Sequence, residues 1–304
     1  MSVLVFGSLN LDLVTYADKL PAIGETIVGE KLLKFPGGKG LNQAIAARRA
    51  GSEVLMVGSI GNDADGDYLF NILKSENIDP KFITKTSEQT GIAVIEVSKS
   101  AENRIIIIAG ANAKTRFSNE VLTSSPSVTV SLAQLETPIA EVVKFIHESK
   151  AAGKITMLNP APIQKLDQQL LQDTDYLIAN ETEASFLIGR AVEHLSKDEA
   201  VTIARQLQKN GSKKVIITLG EQGSVYLDQD KELFTPAYKV KAVDTTAAGD
   251  AFCGAFATAI SENKPVEYAL KFASAAGGLA ATKAGAVPSL PTQQEILSMF
   301  TSLD

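Results

Sequence analysis

Short, β-branched apolar runs recur along this chain with helix-length amphipathic stretches between them, and that alternation narrows the possible folds more than any other feature. The runs are VLVFG (3–7), VLMVG (54–58), VTVSLAQL (128–135), ITMLN (155–159), YLIA (176–179) and VIITL (215–219). A strand with one wet face would alternate polar and apolar side chains, whereas these runs are largely continuous and so predict burial on both faces. Helical candidates lie near 39–50, 65–77, 138–152, 181–189 and 197–210, and the last third reads as helix over 249–262, 265–284 and 292–302. Strands buried on both sides and joined by helices predict an α/β chain: a three-layer αβα sandwich on a mainly parallel central sheet. In such sheets ligands bind beyond the carboxyl ends of the strands.

Two regions break the rhythm. Residues 11–36 carry LDLVTYA and ETIVGEKLLKF, and residues 89–111 carry GIAVIEVS and NRIIIIAG. Each pair predicts antiparallel strands, and neither has room for a crossover helix. Together they predict a small antiparallel sheet projecting as a lid from a single domain spanning 1–304. The Ile105–Ile108 run on an open edge would promote aggregation unless covered, which points to a dimer.

Composition excludes several functions. A formal charge of -6 gives no footprint for nucleic acid or an anionic membrane. With Cys253 the only cysteine there is no intramolecular disulfide or cysteine metal cluster, and His147 and His194 supply histidine chemistry poorly. Both histidines read as surface residues. The start, MSVLVFGSLN, lacks a basic leader, and no apolar run approaches the roughly 18 residues of a membrane span. These features predict a cytoplasmic protein.

A nucleotide site here cannot be of the commonest designs. Gly7 is followed by SLNLDL rather than GxxG, and Gly38-Lys39 lacks the remaining residues of a Walker loop. DTTAAGDAF (244–252) is different: it lies between a strand-like VKAV and an apolar helix. Ala247, Ala248 and Gly249 would form a first helical turn whose unpaired N–H groups and dipole favour phosphate. Asp250 beside them could take a proton from an attacking hydroxyl, although Asp244 or Asp250 could equally serve as a helix cap.

Other segments carry two readings each. FPGGKGLNQAIAARRAG (35–51) is either a loop or a close-approach glycine cluster offering Lys39 and Asn42 to a ligand. Asn10 and Asp12 share one side of an extended chain after the first strand, which suits a polyol or a solvated turn. Asn180 and Glu183 fit a helix cap or a hydrated Mg²⁺ site. TLGEQG (218–223) fits a hairpin or a nucleotide loop, and NPAP (159–162) is a rigid turn at a strand end. Cys253 reads as a packed small apolar group whose nearness to Asp250 suggests sensitivity to alkylation.

Taken in order, GSLNLD, FPGGKGLNQA, GSIGNDADG, AGAN, QLE, NPAP, NETE, TLGEQG, DTTAAGD and KAGAVPSLP resemble the ribokinase family of carbohydrate kinases from residue 7 to 291. The resemblance implies an αβα sandwich with a β-sheet lid that clasps a second subunit in a homodimer. It implies ATP-dependent phosphorylation of D-ribose at the 5-hydroxyl, with Asp250 as general base and the 247–250 backbone as anion hole. By the same resemblance Asn10, Asp12, Gly38, Lys39, Asn42, Glu136 and Asp250 would hold the sugar. Asn180, Thr218, Gly220, Gly223, Ala247, Ala248, Gly249 and Ser274 would contact ATP, with Glu183 supporting Mg²⁺. A monovalent cation, K⁺, would lie at Asp244, Thr246, Ala280, Lys283, Gly285 and Ser289, with Lys283 contributing its carbonyl. The alternatives are a kinase of deoxyribose, fructose or a nucleoside, and a non-catalytic sugar-binding protein. The latter would predict decay of Asp250 or of the glycine turn, and both are intact.

Overall fold

A computed structural model describes residues 1–100, 102–191 and 194–300. In chain order, β1 (Ser2–Phe6) runs almost directly into β2 (Asn10–Ala17), followed by β3 (Lys31–Gly37), α1 (Lys39–Arg49), β4 (Glu53–Gly61) and α2 (Ala64–Ser75). Next come β5 (Ile83–Thr86), β6 (Gly91–Ser98), β7 (Asn103–Ile108), α3 (Glu120–Thr123), β8 (Val128–Ala133), α4 (Ile139–Ala151) and β9 (Ile155–Leu158). The second half holds α5 (Gln168–Asp173), β10 (Tyr176–Asn180), α6 (Glu181–Leu187), α7 (Lys197–Lys209), β11 (Lys214–Thr218), β12 (Gly223–Leu227) and β13 (Glu232–Pro236). It ends in α8 (Ala248–Ser261), α9 (Val266–Ala280) and α10 (Gln293–Phe300).

The larger sheet has the order β13-β12-β11-β10-β9-β8-β1-β4-β5. It is parallel from β11 to β5, and β12 and β13 add an antiparallel edge. The strand order reverses at β1: the chain first builds outward through β4 and β5, then returns to β8 on the other side. Such a reversal leaves a crevice at the carboxyl ends of the two neighbouring strands.

Strand β1 shows how one apolar run serves two layers. Val3 and Val5 pack with Leu41 and Ile45 of α1 and with Phe252 and Phe256 of α8. Leu4 and Phe6 face the opposite layer, among Val142 and Phe145 of α4 and Leu207 of α7, where Phe6 stacks on Phe145 at 5.1 Å. Period-two alternation sends successive side chains to opposite faces, so a strand in mid-sheet must be apolar throughout.

The lid is a separate sheet ordered β3-β2-β6-β7. Each predicted pair is antiparallel, and the two pairs join through β2 and β6, which run parallel from Asn10↔Gly91 to Ala17↔Ser98. The ETIVGE part of the first region is not strand; β3 starts at Lys31, and Val28 is 92% exposed. Ile105–Ile108 on the edge strand β7 are all exposed, Ile106 at 65%. Helix α9 stops at Ala280 rather than 284, because the following residues turn back so that the Gly285 N–H reaches Asp244 at 2.9 Å. The expected end of the last helix, 301–302, lies outside the described residues.

Candidate active site

Strand ends of the large sheet deliver polar residues to one crevice. Gly7–Asn10 follow β1, Gln134–Glu136 follow β8, and Asn159 follows β9, while Asn180 and Thr218 end β10 and β11. Opposite them stand the N-termini of α1 and α8.

Helix α8 begins abruptly. Ala247, its N-cap residue, takes φ 60°, a left-handed conformation that a non-glycine residue pays for in strain, and no side chain caps the helix. The Ala248 N–H returns to the Thr245 carbonyl at 3.2 Å, while the Gly249 and Asp250 amides have no intramolecular acceptor among the described residues. A bare first turn of this kind attracts an anion through its amides and its dipole. Lys39, Asn159, Asn180, Glu183, Thr218, Thr245, Ala247, Gly249, Asp250 and Cys253 border a cavity of about 200 Å³ in front of it.

The Asp250 carboxylate is buried and held on both oxygens. Asn42 Nδ2 donates to Oδ2 and Gln43 Nε2 to Oδ1, each at 2.9 Å. Asn42 Oδ1 is buried without a hydrogen-bond partner among the described residues. Lys39 lies among three acids: burial disfavours its ammonium, yet Asp250, Glu136 and Glu183 keep its pKa above the ordinary lysine value.

Helix α1 reaches the site through glycine. Gly38 has φ 89°, open to glycine alone at low cost, and a Cβ on Gly40 would lie 2.4 Å from the Ser8 nitrogen. Backbone therefore packs on backbone here, and the Lys39 N–H donates to Glu136 Oε2 at 2.9 Å while Ser8 Oγ donates to the same oxygen at 2.5 Å.

Lid residues complete the crevice. Asn10 Oδ1 accepts from Asn112 Nδ2 at 2.7 Å, and Asn112 is itself fixed by the Leu9 backbone. Asp12 is 8% exposed and its carboxylate accepts no hydrogen bond among the described residues. Burial first, then the Glu136 and Asp250 charges, push its acid up to about 7.

On the far side, Asn180 and Glu183 form a reciprocal capping box on α6, with the Asn180 N–H to Glu183 Oε2 at 2.9 Å and the Glu183 N–H to Asn180 Oδ1 at 2.8 Å. The helix-cap reading of this pair holds, and both residues also border the cavity. Burial outweighs these bonds and raises the Glu183 acid. Gly220 and Gly223 flank a short turn between β11 and β12, and Ser274 is half-buried on α9.

The predicted cation residues form a second cluster. Asp244 accepts from the Thr246 and Gly285 amides, both at 2.9 Å; against the upward push of burial, bonds from these two residues hold its acid below the usual range. The Ala280 carbonyl accepts from the Lys283 N–H at 3.2 Å, and the Lys283 ammonium is turned to Glu295 at 2.9 Å. Ser289 is fully buried and donates to the Ala286 carbonyl at 2.7 Å.

The structure thus gathers Asn10, Asp12, Lys39, Asn42, Glu136, Asp250, Asn180, Glu183 and Thr218 around one crevice. Gly220, Gly223 and Ser274 border neither the cavity nor the carboxylate network. Sequence reasoning missed Gln43, Gln134 and Asn112, and saw Asn159 only as part of a turn. A Gln set between Asn42 and the apolar AIAA run of α1 was the available signal for Gln43. Cys253 is buried beside the cavity and its thiol is pushed well above the ordinary range, chiefly by burial, which opposes the expected alkylation. His147, on the surface, pairs with Asp173 at 2.9 Å. Among the described residues no cluster of three His, Cys, Asp or Glu side chains could hold a metal ion, and no helix is long and apolar enough to cross a membrane.

Residues 1–293 match the pfkB family of carbohydrate kinases. The chain is 39% identical over 301 residues to a ribokinase of Haemophilus influenzae, covering 97% of each. Its structure superposes on that of an Arabidopsis thaliana ribokinase complexed with ribose and ATP with a TM-score of 0.91 at 31% identity, covering 98% of each chain. A Thermotoga maritima ribokinase gives a TM-score of 0.88 at 34% identity, covering 99% of each chain.

Proposed function

The chain belongs to the pfkB family of carbohydrate kinases, and on that footing we propose that it phosphorylates D-ribose at the 5-hydroxyl with ATP, yielding D-ribose 5-phosphate and ADP. The observation that carries this reading is the Asp250 carboxylate, fixed by two amides beside the bare first turn of α8. Base and anion site lie side by side, as transfer of a phosphoryl group to a hydroxyl requires.

Asp250 accepts the proton of the attacking hydroxyl as the γ-phosphoryl passes in line. The 247–250 backbone takes up the charge that develops on its oxygens, chiefly through the Gly249 and Asp250 amides, which have no acceptor among the described residues and are oriented before reaction. Asn10, Asp12, Gly38, Lys39, Asn42 and Glu136 hold the sugar. Asp12, with no donor of its own, suits a sugar hydroxyl, and Asn42 Oδ1 suits another. Closure of the lid excludes water and limits hydrolysis of ATP.

ATP lies across the ends of β10 and β11, against Asn180, Thr218, Gly220 and Gly223, with Ser274 on the adenine side and Ala247, Ala248 and Gly249 at the phosphates. Glu183, whose oxygens accept from Asn180, would help hold the hydrated Mg²⁺ that accompanies ATP, and that ion would neutralise phosphate charge. The Asp244 cluster suits a monovalent cation, K⁺: its carboxylate is held anionic, and the Lys283 ammonium points to Glu295, leaving carbonyl oxygens for the ion. Asp244, Thr246, Ala280, Lys283, Gly285 and Ser289 would supply the ligands. Held there, the ion would supply positive charge near the 244–250 loop. The exposed isoleucines of β7 suit a homodimer through the lid, and the enzyme works in the cytoplasm.

A coupled assay offering ribose, deoxyribose, fructose and adenosine, with and without K⁺, tests the proposal. Ribose is expected to give the highest kcat/KM; preference for another acceptor would overturn the assignment of the sugar.

A further inference from the structure

Gln43 is fully buried, and its side-chain amide is committed almost entirely within the protein. Nε2 donates to Asp250 Oδ1 at 2.9 Å and to Asn159 Oδ1 at 3.1 Å, which uses both of its protons. Oε1 accepts from Gln134 Nε2 at 2.6 Å. The orientation of the amide follows from its partners: reversed, it would set an oxygen against the Asp250 carboxylate.

Asn42, its neighbour, differs in one respect. Both residues donate to Asp250, but Asn42 Oδ1 is left without a partner among the described residues, whereas Gln43 has every polar side-chain atom engaged. Neither residue lines the cavity in front of α8; both touch its lining through Asp250. Gln43 touches the base and the supporting frame, and has no donor left for a substrate.

Packing explains why the contact is rigid. A Cβ on Gly254, one turn beyond Asp250, would lie 2.6 Å from Ala46 Cβ, 2.7 Å from Ala47 N and 2.7 Å from Gln43 O. Helices α1 and α8 therefore meet backbone to backbone, which brings the Gln43 side chain to the Asp250 carboxylate. Asn159 in turn donates to the Ile178 carbonyl at 3.0 Å and to Glu183 Oε2 at 3.4 Å. Neutral amides thus link the base to the frame at the ends of β8, β9 and β10.

We infer that Gln43 is a positioning residue of the phosphoryl transfer: with Asn42 it fixes the plane of the Asp250 carboxylate so that a lone pair meets the sugar hydroxyl. This inference rests on the assignment of Asp250 as the base. A carboxylate held by one donor can turn about its Cβ–Cγ bond, and misplacement of a reacting group by about 1 Å can lower turnover about a hundredfold.

The test is a double-mutant cycle of Gln43→Met, close to glutamine in size but without a donor, and Asp250→Asn, with kcat and KM for ribose measured in each background. Gln43→Met alone is expected to lower kcat about 10- to 100-fold with KM for ribose changed less than about threefold. In the Asp250→Asn background it should lower the residual kcat by less than about threefold, because a residue acting through Asp250 has nothing left to position. An equal loss in both backgrounds, or a loss confined to KM, would overturn the inference while leaving Asp250 as base. Near-normal turnover of Asp250→Asn alone would overturn the assignment of the base, and the inference with it. Should Gln43→Met fail to fold by circular dichroism, Gln43→Asn keeps an amide in the network but withdraws it by one methylene, and the same comparisons decide.

Discussion

Replacing Asp12 by Asn should make the sugar-free protein more stable while weakening its hold on ribose, and the stability effect should follow pH in a defined direction. Asp12 is buried within reach of the Glu136 and Asp250 charges, and its acid rises from 3.8 to about 7 on folding, burial being the larger cause. A folded-state pKa above the unfolded one means that the native protein binds the extra proton. Below about pH 4 both states are protonated and Asp12 carries no penalty. The penalty grows from pH 4 to 7 and is complete above pH 7, where a charge must be kept in the crevice. At about 1.4 kcal/mol per pH unit, the rise corresponds to a ceiling of ~4 kcal/mol. Asparagine matches the shape without the charge, so urea unfolding of Asp12→Asn without sugar should show a gain of ~2–4 kcal/mol at pH 8, shrinking towards zero at pH 4. Ribose affinity should fall at least about tenfold at pH 8, because a charged hydrogen-bond acceptor is gone. Equal stability of the two proteins at pH 8, or a gap that widens in acid, would refute the reasoning.

Four further outcomes follow from the same geometry. Asp250→Asn should bind ribose near-normally by calorimetry yet lose at least about a hundredfold in kcat, the loss expected of a missing general base. Gly40→Ala sets a methyl 2.4 Å from the Ser8 nitrogen and 2.5 Å from the Gly7 carbonyl carbon; it should destabilise by ~2 kcal/mol or more in urea unfolding, as overpacking against backbone does. Lys283→Ala should leave activation by K⁺ within about twofold across a KCl titration, since its ammonium faces Glu295 and only its carbonyl is assigned to the ion. Ile106→Asp, on the exposed β7 edge, should shift the protein towards monomer in sedimentation velocity by burying a charge in the interface.

The layers were readable in the sequence because strands such as β1 must be apolar on both faces when helices cover both sides. The edges were not. GSVYL and ELFTP became β12 and β13, and ITKT became β5, but these runs of four or five residues carry too little pattern to separate strand from turn. IV within ETIVGE looks like strand by composition, yet nothing covers Val28 and the segment stays irregular. At the site, local residues left Asp250 open as a helix cap, and the ordered motifs gave it a role. Gln43 escaped for a geometric reason. Successive helical residues diverge by about 100°, so Asn42 and Gln43 are not expected to meet one carboxylate. They do so because the longer glutamine side chain reaches around a helix pair held at glycine contact.

Three residues, Gly7–Leu9, separate the last residue of β1 in the large sheet from the first of β2 in the lid. The proposed sugar contacts are divided across that junction, with Asn10 and Asp12 on the lid and Asn42 and Asp250 on the base. If the lid closes as proposed, a ribose gripped from both sides would bind the closed form better than the open one, and its measured dissociation constant would be the intrinsic one divided by the fraction of molecules already closed. Substitutions along the lid that touch neither sugar nor nucleotide can therefore raise KM through that population alone, leaving the chemistry at Asp250 unaltered. Affinity for the sugar is in this sense a property of how the two sheets are joined.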